Sequence, residues 1–320
     1  MTHETLTYAI SEIPDSSCVA MQKTAGGDVL RAVGRDSEHI LRMISSMPPS
    51  SMTLSVRMHF TPEKESGDQQ SQLKLFIIAC LHDPGIESII TSALENGPIR
   101  KFYALNRVNE GKYQWEKYGA LCEIRRRTDQ LKPPYDQEFN TKTLESYYTI
   151  TAFDRNDRND YMDVDLVLSH TSESILIDLC AQPVDISNER SEHARYLAAL
   201  RAINSSWERN EDETDFVDYV GEGSDRWASS PGKVIEPPHY HDLVADDILR
   251  NQQRFHQSLL SPHLLFRFSI FAETMPVARL IGSFVAESAF NNGSYELMVA
   301  QRGEEHFQRC LSEARDVAIG

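Results

Sequence analysis

Across residues 52–60 the chain alternates without a break. Met52, Leu54, Val56, Met58 and Phe60 are apolar, and Thr53, Ser55, Arg57 and His59 between them are polar. Successive side chains of a strand point to opposite faces, so the run predicts a strand with one face on a core and one in water. Residues 73–80 are apolar almost throughout, which predicts a central strand. A polar loop, 62–70, separates the two. Ahead of them Ile40, Leu41, Ile44 and Met47 recur at helical spacing over 37–47. Asp36 or Ser37 caps this helix and Pro48-Pro49 stops it. Asp83-Pro84 opens a second helix over 84–95, closed by Gly97-Pro98. With a short strand over 18–23, residues 1–100 read as one β-α-β-β-α domain.

The pattern is weaker over 101–172, a connecting α+β segment assigned to neither flanking domain. Strands are expected over 118–125 and 147–153. A charged repeat, 154–160, reads as a turn and 161–168 as a short helix. Residues 173–320 read as a second domain, β-α-linker-α-β-α-β-α. Its strands fall over 175–181, 264–272 (Phe266, Phe268 and Ile270 on one face) and 295–299. Its first helix runs from 187 to about 207, with Leu197, Leu200, Ile203 and Trp207 on one face. An acidic loop, 208–240, follows, and then a helix over 242–259. Thr274 caps a helix over 276–290, whose core stripe is Val277, Leu280, Ile281, Phe284 and Val285. Asn291-Asn292-Gly293 ends it, and a last helix covers 304–317. The fold expected is α+β, with two mixed or antiparallel sheets, each covered by helices.

Composition narrows the classes. The 320 residues are 40% hydrophobic, enough for a core and for about two domains. The formal net charge of −16 opposes a nucleic-acid contact through the overall field and leaves nucleic acid at most an indirect partner. The five cysteines, Cys18, Cys80, Cys122, Cys180 and Cys310, show no CxxC and no Cys/His pairing at zinc spacing. Four lie in or beside apolar runs, as buried reduced thiols do. The first residues, Met1-Thr2-His3-Glu4-Thr5, have neither the basic nor the apolar region of a signal peptide. The longest apolar run, 75–81, is far short of the roughly 20 residues that cross a bilayer. These features lead us to expect a cytoplasmic protein without a membrane partner.

Catalytic signatures are missing from the sequence. No Gly-x-x-x-x-Gly-Lys-Ser/Thr loop is present to wrap phosphates, and Gly26-Gly27 and Gly221-Glu222-Gly223 lack the lysine. Neither a Gly-x-Ser-x-Gly elbow nor a dinucleotide fingerprint occurs. No cofactor is therefore expected and no catalytic or nucleotide-binding residue is named. The nearest thing to a metal site is His239, His241 and Asp242. In an extended segment the two imidazoles point the same way, and two imidazoles with a carboxylate suit zinc. The same residues also read as a Pro-bounded linker with Asp242 capping a helix. The acidic residues of 154–165 lack the glycine and final glutamate of a calcium loop. Arg125-Arg126-Arg127 is the one dense basic run, suited to phosphate or an acidic partner surface, or to pairing with neighbouring carboxylates. Trp115, with Tyr113 and Tyr118, offers either base stacking or ordinary packing.

Two stretches carry a family resemblance. The first is SEHILRMISSMPPSSMTLSVRMHF followed by QLKLFIIACLHDPGIESIITSAL, within 37–94; the second is HLLFRFSIFAETMPVARLIGSFVAESAF with NNGSYEL, 263–297. Both resemble the N-terminal, non-motor regions of HerA/FtsK-like, conjugation-type DNA-translocating ATPases, and 181–208 is similar to the stretch leading into the second. The resemblance implies an accessory region upstream of a ring-forming RecA-like motor, with Gly320 standing where that motor would begin. Since no Walker motif is present, the family's nucleotide-binding residues transfer to no position here. The function expected is a non-catalytic module for ring assembly or partner docking. Its partner is a protein, either an ATPase motor domain or a second copy. Arg125, Arg126, Arg127 and Trp115 are the candidate interaction residues. Two alternatives stand beside this reading: a metal-dependent hydrolase using His239, His241 and Asp242, and a stand-alone scaffold.

Overall fold

In the computed structural model, residues 4–12, 40–62, 72–101, 103–109, 113–131, 147–150, 168, 171–198, 243–260, 263–290 and 294–319 are described. The elements are β1 (Glu4–Glu12), α1 (40–45), β2 (Met52–Thr61), β3 (Gln72–Leu81), α2 (Glu87–Asn96), β4 (Ala104–Val108), β5 (Ala120–Arg126), β6 (Thr128–Leu131), β7 (Tyr147–Ile150), β8 (Ile175–Pro183), α3 (187–198), α4 (Leu243–Ser258), β9 (Leu264–Ala272), α5 (Met275–Ala289), β10 (Tyr295–Gln301) and α6 (Glu305–Asp316). They fall into two compact units. The larger comprises 1–127, 152–186 and 261–320; the smaller comprises 128–151 and 187–260.

The fold is α+β, and the larger unit is built on one eight-stranded antiparallel sheet in the order β10-β5-β9-β8-β2-β3-β1-β4. The expectation of one sheet for each half of the chain is not met. Strands of the first hundred residues and of the last 146 are hydrogen-bonded neighbours, joined where β2 pairs with β8 from Leu54↔Ala181 to Phe60↔Ile175. The physical reason lies in β2 and β8, which are buried along most of their length. An open edge there would leave a row of backbone donors and acceptors without partners in an apolar interior.

One face of the sheet carries α1, α2 and α5. Ile44, Ile90 and Leu94 pack on Leu6, Tyr8, Leu54, Ile77 and Ala79. Ala278, Ile281, Val285 and Ala286 of α5 pack on Ala120, Cys122, Ile177 and Ile270. Gly282 allows that approach, because a Cβ there would stand 2.4 Å from Cys122 Sγ. The opposite face carries α6. Its Phe307, Cys310, Leu311 and Ala314 lie on Leu121, Leu176, Phe271 and Ala300.

Several details depart from the sequence pattern. Strand β1 was not anticipated. On α1 and the turn after it the inward residues are Ile40, Met43, Ile44 and Met47, while Leu41 is 47% exposed. The stripe of α5 is turned toward Ala278 and Gly282, which leaves Leu280 49% exposed. Small residues bring this helix close to the sheet, so the core follows them rather than the largest apolar side chain. Thr274 stands at the start of α5, but its hydroxyl donates to Glu173 Oε1 (2.7 Å) and its N–H to Glu173 Oε2 (3.0 Å). The carboxylate is the cap, suited to the positive end of the helix. Glu273 in turn accepts from the Ser174 N–H at 2.9 Å, so β8 and β9 are clipped reciprocally.

In the smaller unit β6 pairs with β7 and α4 packs against β7. There His193 bridges Gln252 Oε1 (2.7 Å) and His256 Nδ1 (3.2 Å). The expected strand at 18–23, the loop 63–70, the turn 154–160 and the acidic segment 208–240 lie outside the described residues, as does most of the helix 161–168.

Candidate functional site

The polar row of β2 does not face water. Thr53 is 1% exposed, and Ser55 and Arg57 are wholly buried, whereas Met58 on the alternate face is 38% exposed. The strand is where the period puts it, but it has no wet face: Met52, Leu54 and Phe60 are buried on one side and Thr53, Ser55 and Arg57 on the other. The cause is α6, which covers this side of the sheet and brings partners for the buried charges.

Register places Arg57 directly across from Asp178. Arg57 Nε donates to Asp178 Oδ1 at 2.9 Å and to Ser55 Oγ at 3.1 Å. Ser55 Oγ donates to the same carboxylate oxygen, and Arg57 Nη2 donates to the Ala314 carbonyl of α6. From β9, Arg267 Nη2 donates to Asp178 Oδ2 (2.8 Å), and its Nη1 to Glu313 Oε2 and the Ala318 carbonyl, each at 2.8 Å. Val317 makes the last bond possible. It closes α6 in the left-handed region (φ 51°), which turns the chain so that the Ala318 carbonyl faces Arg267. A β-branched residue rarely adopts that conformation, and the burial of Val317 against Cys80 and Cys180 compensates it.

Burial alone would raise the pKa of Asp178. The charges of Arg57 and Arg267 and the Ser55 hydroxyl outweigh it and hold the carboxyl below its ordinary range. Burial likewise works against the Arg57 charge, and Asp178 more than restores it. The Arg57 guanidinium carbon also lies 5.3 Å and 5.7 Å from the ring centroids of Tyr113 and Trp115. Asp178 and Arg57 have no exposed side-chain surface, so no substrate reaches them. Their chemistry is spent on holding α6 to the sheet.

A second cluster joins β5 to the same helix. His306 Nε2 lies 2.9 Å from Glu123 Oε2, and Cys310 Sγ lies 3.9 Å from both ring nitrogens of His306. Arg125 also pairs with Glu123 Oε2, at 2.7 Å from Nη2. The three ligand-type atoms lie within 4.8 Å of one another. The reading of no Cys/His pairing overlooked His306 and Cys310. Their signal was a spacing of four on a predicted helix, which puts both on one face. Burial pushes the Cys310 thiol up to about 11, with Glu123 and Glu313 adding to the effect, so at neutral pH it is protonated.

Among the residues singled out in the sequence, His239, His241 and Asp242 lie outside the described residues. Arg125 is engaged by Glu123, while Arg126 and Arg127 are exposed at the end of β5. Trp115 is half-buried in an aromatic group with Tyr113, Tyr118 and Phe271. Arg315 of α6 stands 5.8 Å from its ring. The described cysteines, Cys80, Cys122, Cys180 and Cys310, are buried free thiols. Among the described residues no helix is long and apolar enough to cross a membrane.

On the other side of the sheet, α1 and α2 leave a groove of about 520 Å³ between them. Ile40, Met43, Ile89, Ser92, Ala93 and Pro98 are among its lining residues. Ile89 is 49% exposed, although its neighbour Ile90 is 1% exposed. No protein-family model matches the chain, and no curated protein matches it.

Proposed function

We propose that this protein is a non-catalytic interaction module, similar in role to the N-terminal region of a HerA/FtsK-like translocating ATPase and used in ring assembly or partner docking. The observation that carries the reading is the groove between α1 and α2. It is concave, lined by Ile40, Met43, Ile89, Ala93 and Pro98 with Ser88, Ser92 and Asn96 among them, and formed within residues 40–98, which overlap the first of the two segments resembling that family. Covering exposed aliphatic surface yields about 25 cal/mol per Å², so a partner side chain seated beside Ile89 gains affinity there. The buried charges support the same reading, since Arg57, Asp178 and Arg267 hold the scaffold together instead of facing a ligand.

Mass photometry of the purified chain, alone and mixed with a RecA-like motor chain, tests it. We expect either self-association or a mixed complex, reduced at least tenfold in affinity by Ile89→Asp. A chain that stays monomeric in both mixtures, or that turns over ATP by itself, overturns the proposal.

A further inference from the structure

We propose that Glu123, His306 and Cys310 form a binding site for a zinc-class divalent ion that staples α6 to β5. The donors converge from two elements. His306 and Cys310 are one helical turn apart on α6, and Glu123 faces them from β5. One nitrogen, one oxygen and one sulfur form the mixed set that a borderline-soft ion takes. Tetrahedral zinc with bonds of about 2.0–2.3 Å sets its ligand atoms about 3.3–3.8 Å apart. The Nε2 separations, 2.9 Å to Glu123 and 3.9 Å to Cys310, lie on either side of that range and all three donors lie within 4.8 Å of one another, so side-chain rotations bring them to an ion. An ion of charge +2 with one thiolate and one carboxylate is neutral overall, which suits a place where Glu123 is 8% and Cys310 1% exposed.

Arg125 supplies the outer contact that orients a ligating carboxylate. Binding through His306 Nε2 moves the ring proton to Nδ1. Arg309, which lies 3.2 Å from that atom and has a 57% exposed side chain, then turns away. The Cys310 thiol releases its proton to solvent as the sulfur binds. Water takes the fourth position.

Cobalt(II) titration of the full chain, followed by zinc competition and elemental analysis, tests the site. We expect one ion per chain, a thiolate-to-cobalt charge-transfer band, and a melting temperature that rises with zinc. His306→Gln and Cys310→Ser should each abolish the band, whereas His239→Ala with His241→Ala should leave it intact. If Cys310→Ser fails to fold, the half-buried His306→Gln carries the test, with near-ultraviolet circular dichroism as the check on folding. No uptake by the wild-type chain, or uptake unchanged in His306→Gln, overturns the proposal. Neither result bears on the groove between α1 and α2.

Discussion

Replacing Asp178 with alanine is the sharpest test of the buried charge cluster. The carboxylate spends both oxygens: Oδ1 on Ser55 and Arg57, Oδ2 on Arg267. Its removal leaves two guanidinium groups, 0% and 3% exposed: Arg267 keeps Glu313, and Arg57 loses its carboxylate partner in the cluster. Breaking a buried ion pair from one side costs about 3–5 kcal/mol, because the surviving charge stays desolvated. That is a large part of the roughly 5–15 kcal/mol by which a native protein is stable. With a urea slope of about 3 kcal/mol per M, the unfolding midpoint should fall by about 1–1.7 M. The triple variant Arg57→Met, Asp178→Leu, Arg267→Met removes the charges together and should be more stable than Asp178→Ala alone. Acid acts on the same group. Its folded pKa lies below the unfolded value of about 3.9, so its stabilisation is complete at neutral pH and is lost as pH falls below about 4. If Asp178→Ala shifts the midpoint by less than the equivalent of about 0.5 kcal/mol, the cluster does not hold the fold and the reasoning fails.

Two smaller perturbations probe the packing of α5. Gly282→Ala should destabilise by about 1–3 kcal/mol despite the better helix propensity of alanine, since the new Cβ meets Cys122 Sγ. Adding Cys122→Ala should recover part of that loss, and a thermal double-mutant cycle that shows no coupling would refute the contact. Glu173→Ala removes the carboxylate that accepts both Thr274 bonds at the start of α5 and should cost about 1 kcal/mol in denaturant titration. An unchanged midpoint would show that the cap contributes nothing.

Much of the architecture could be read from local pattern. The strand spacing of β2, the apolar run of β3 and the Asp83-Pro84 and Gly97-Pro98 boundaries flanking α2 are short-range signals, and they appear where expected. Asp83 accepts from the Gly85 N–H at 2.8 Å and caps the 3-10 turn 84–86, from which α2 continues. That β2 is buried on both faces was not legible, because Ser55 and Arg57 read as solvent-facing until α6 supplies their cover. Strand β1 was passed over although Leu6, Tyr8 and Ile10 alternate with Thr5, Thr7 and Ala9. In α5 the choice between Leu280 and Gly282 as the inward position depends on how closely the helix lies on the sheet, which hydrophobicity does not encode. The Glu123–His306–Cys310 cluster was half visible: the helical pair can be read from spacing, but Glu123 joins it only through the placement of β5 under α6.

The position of α6 also constrains how the protein is made. Arg57 emerges from the ribosome 257 residues before Ala314, the carbonyl it needs. At translation rates of about 5–20 residues per second, that interval is about 13–50 s. Throughout it the growing chain carries a cationic strand and, later, a matching acidic one with no lid over either. Over that stretch Arg57 has no α6 carbonyl to donate to. The native state becomes attainable only as the closing helix leaves the exit tunnel.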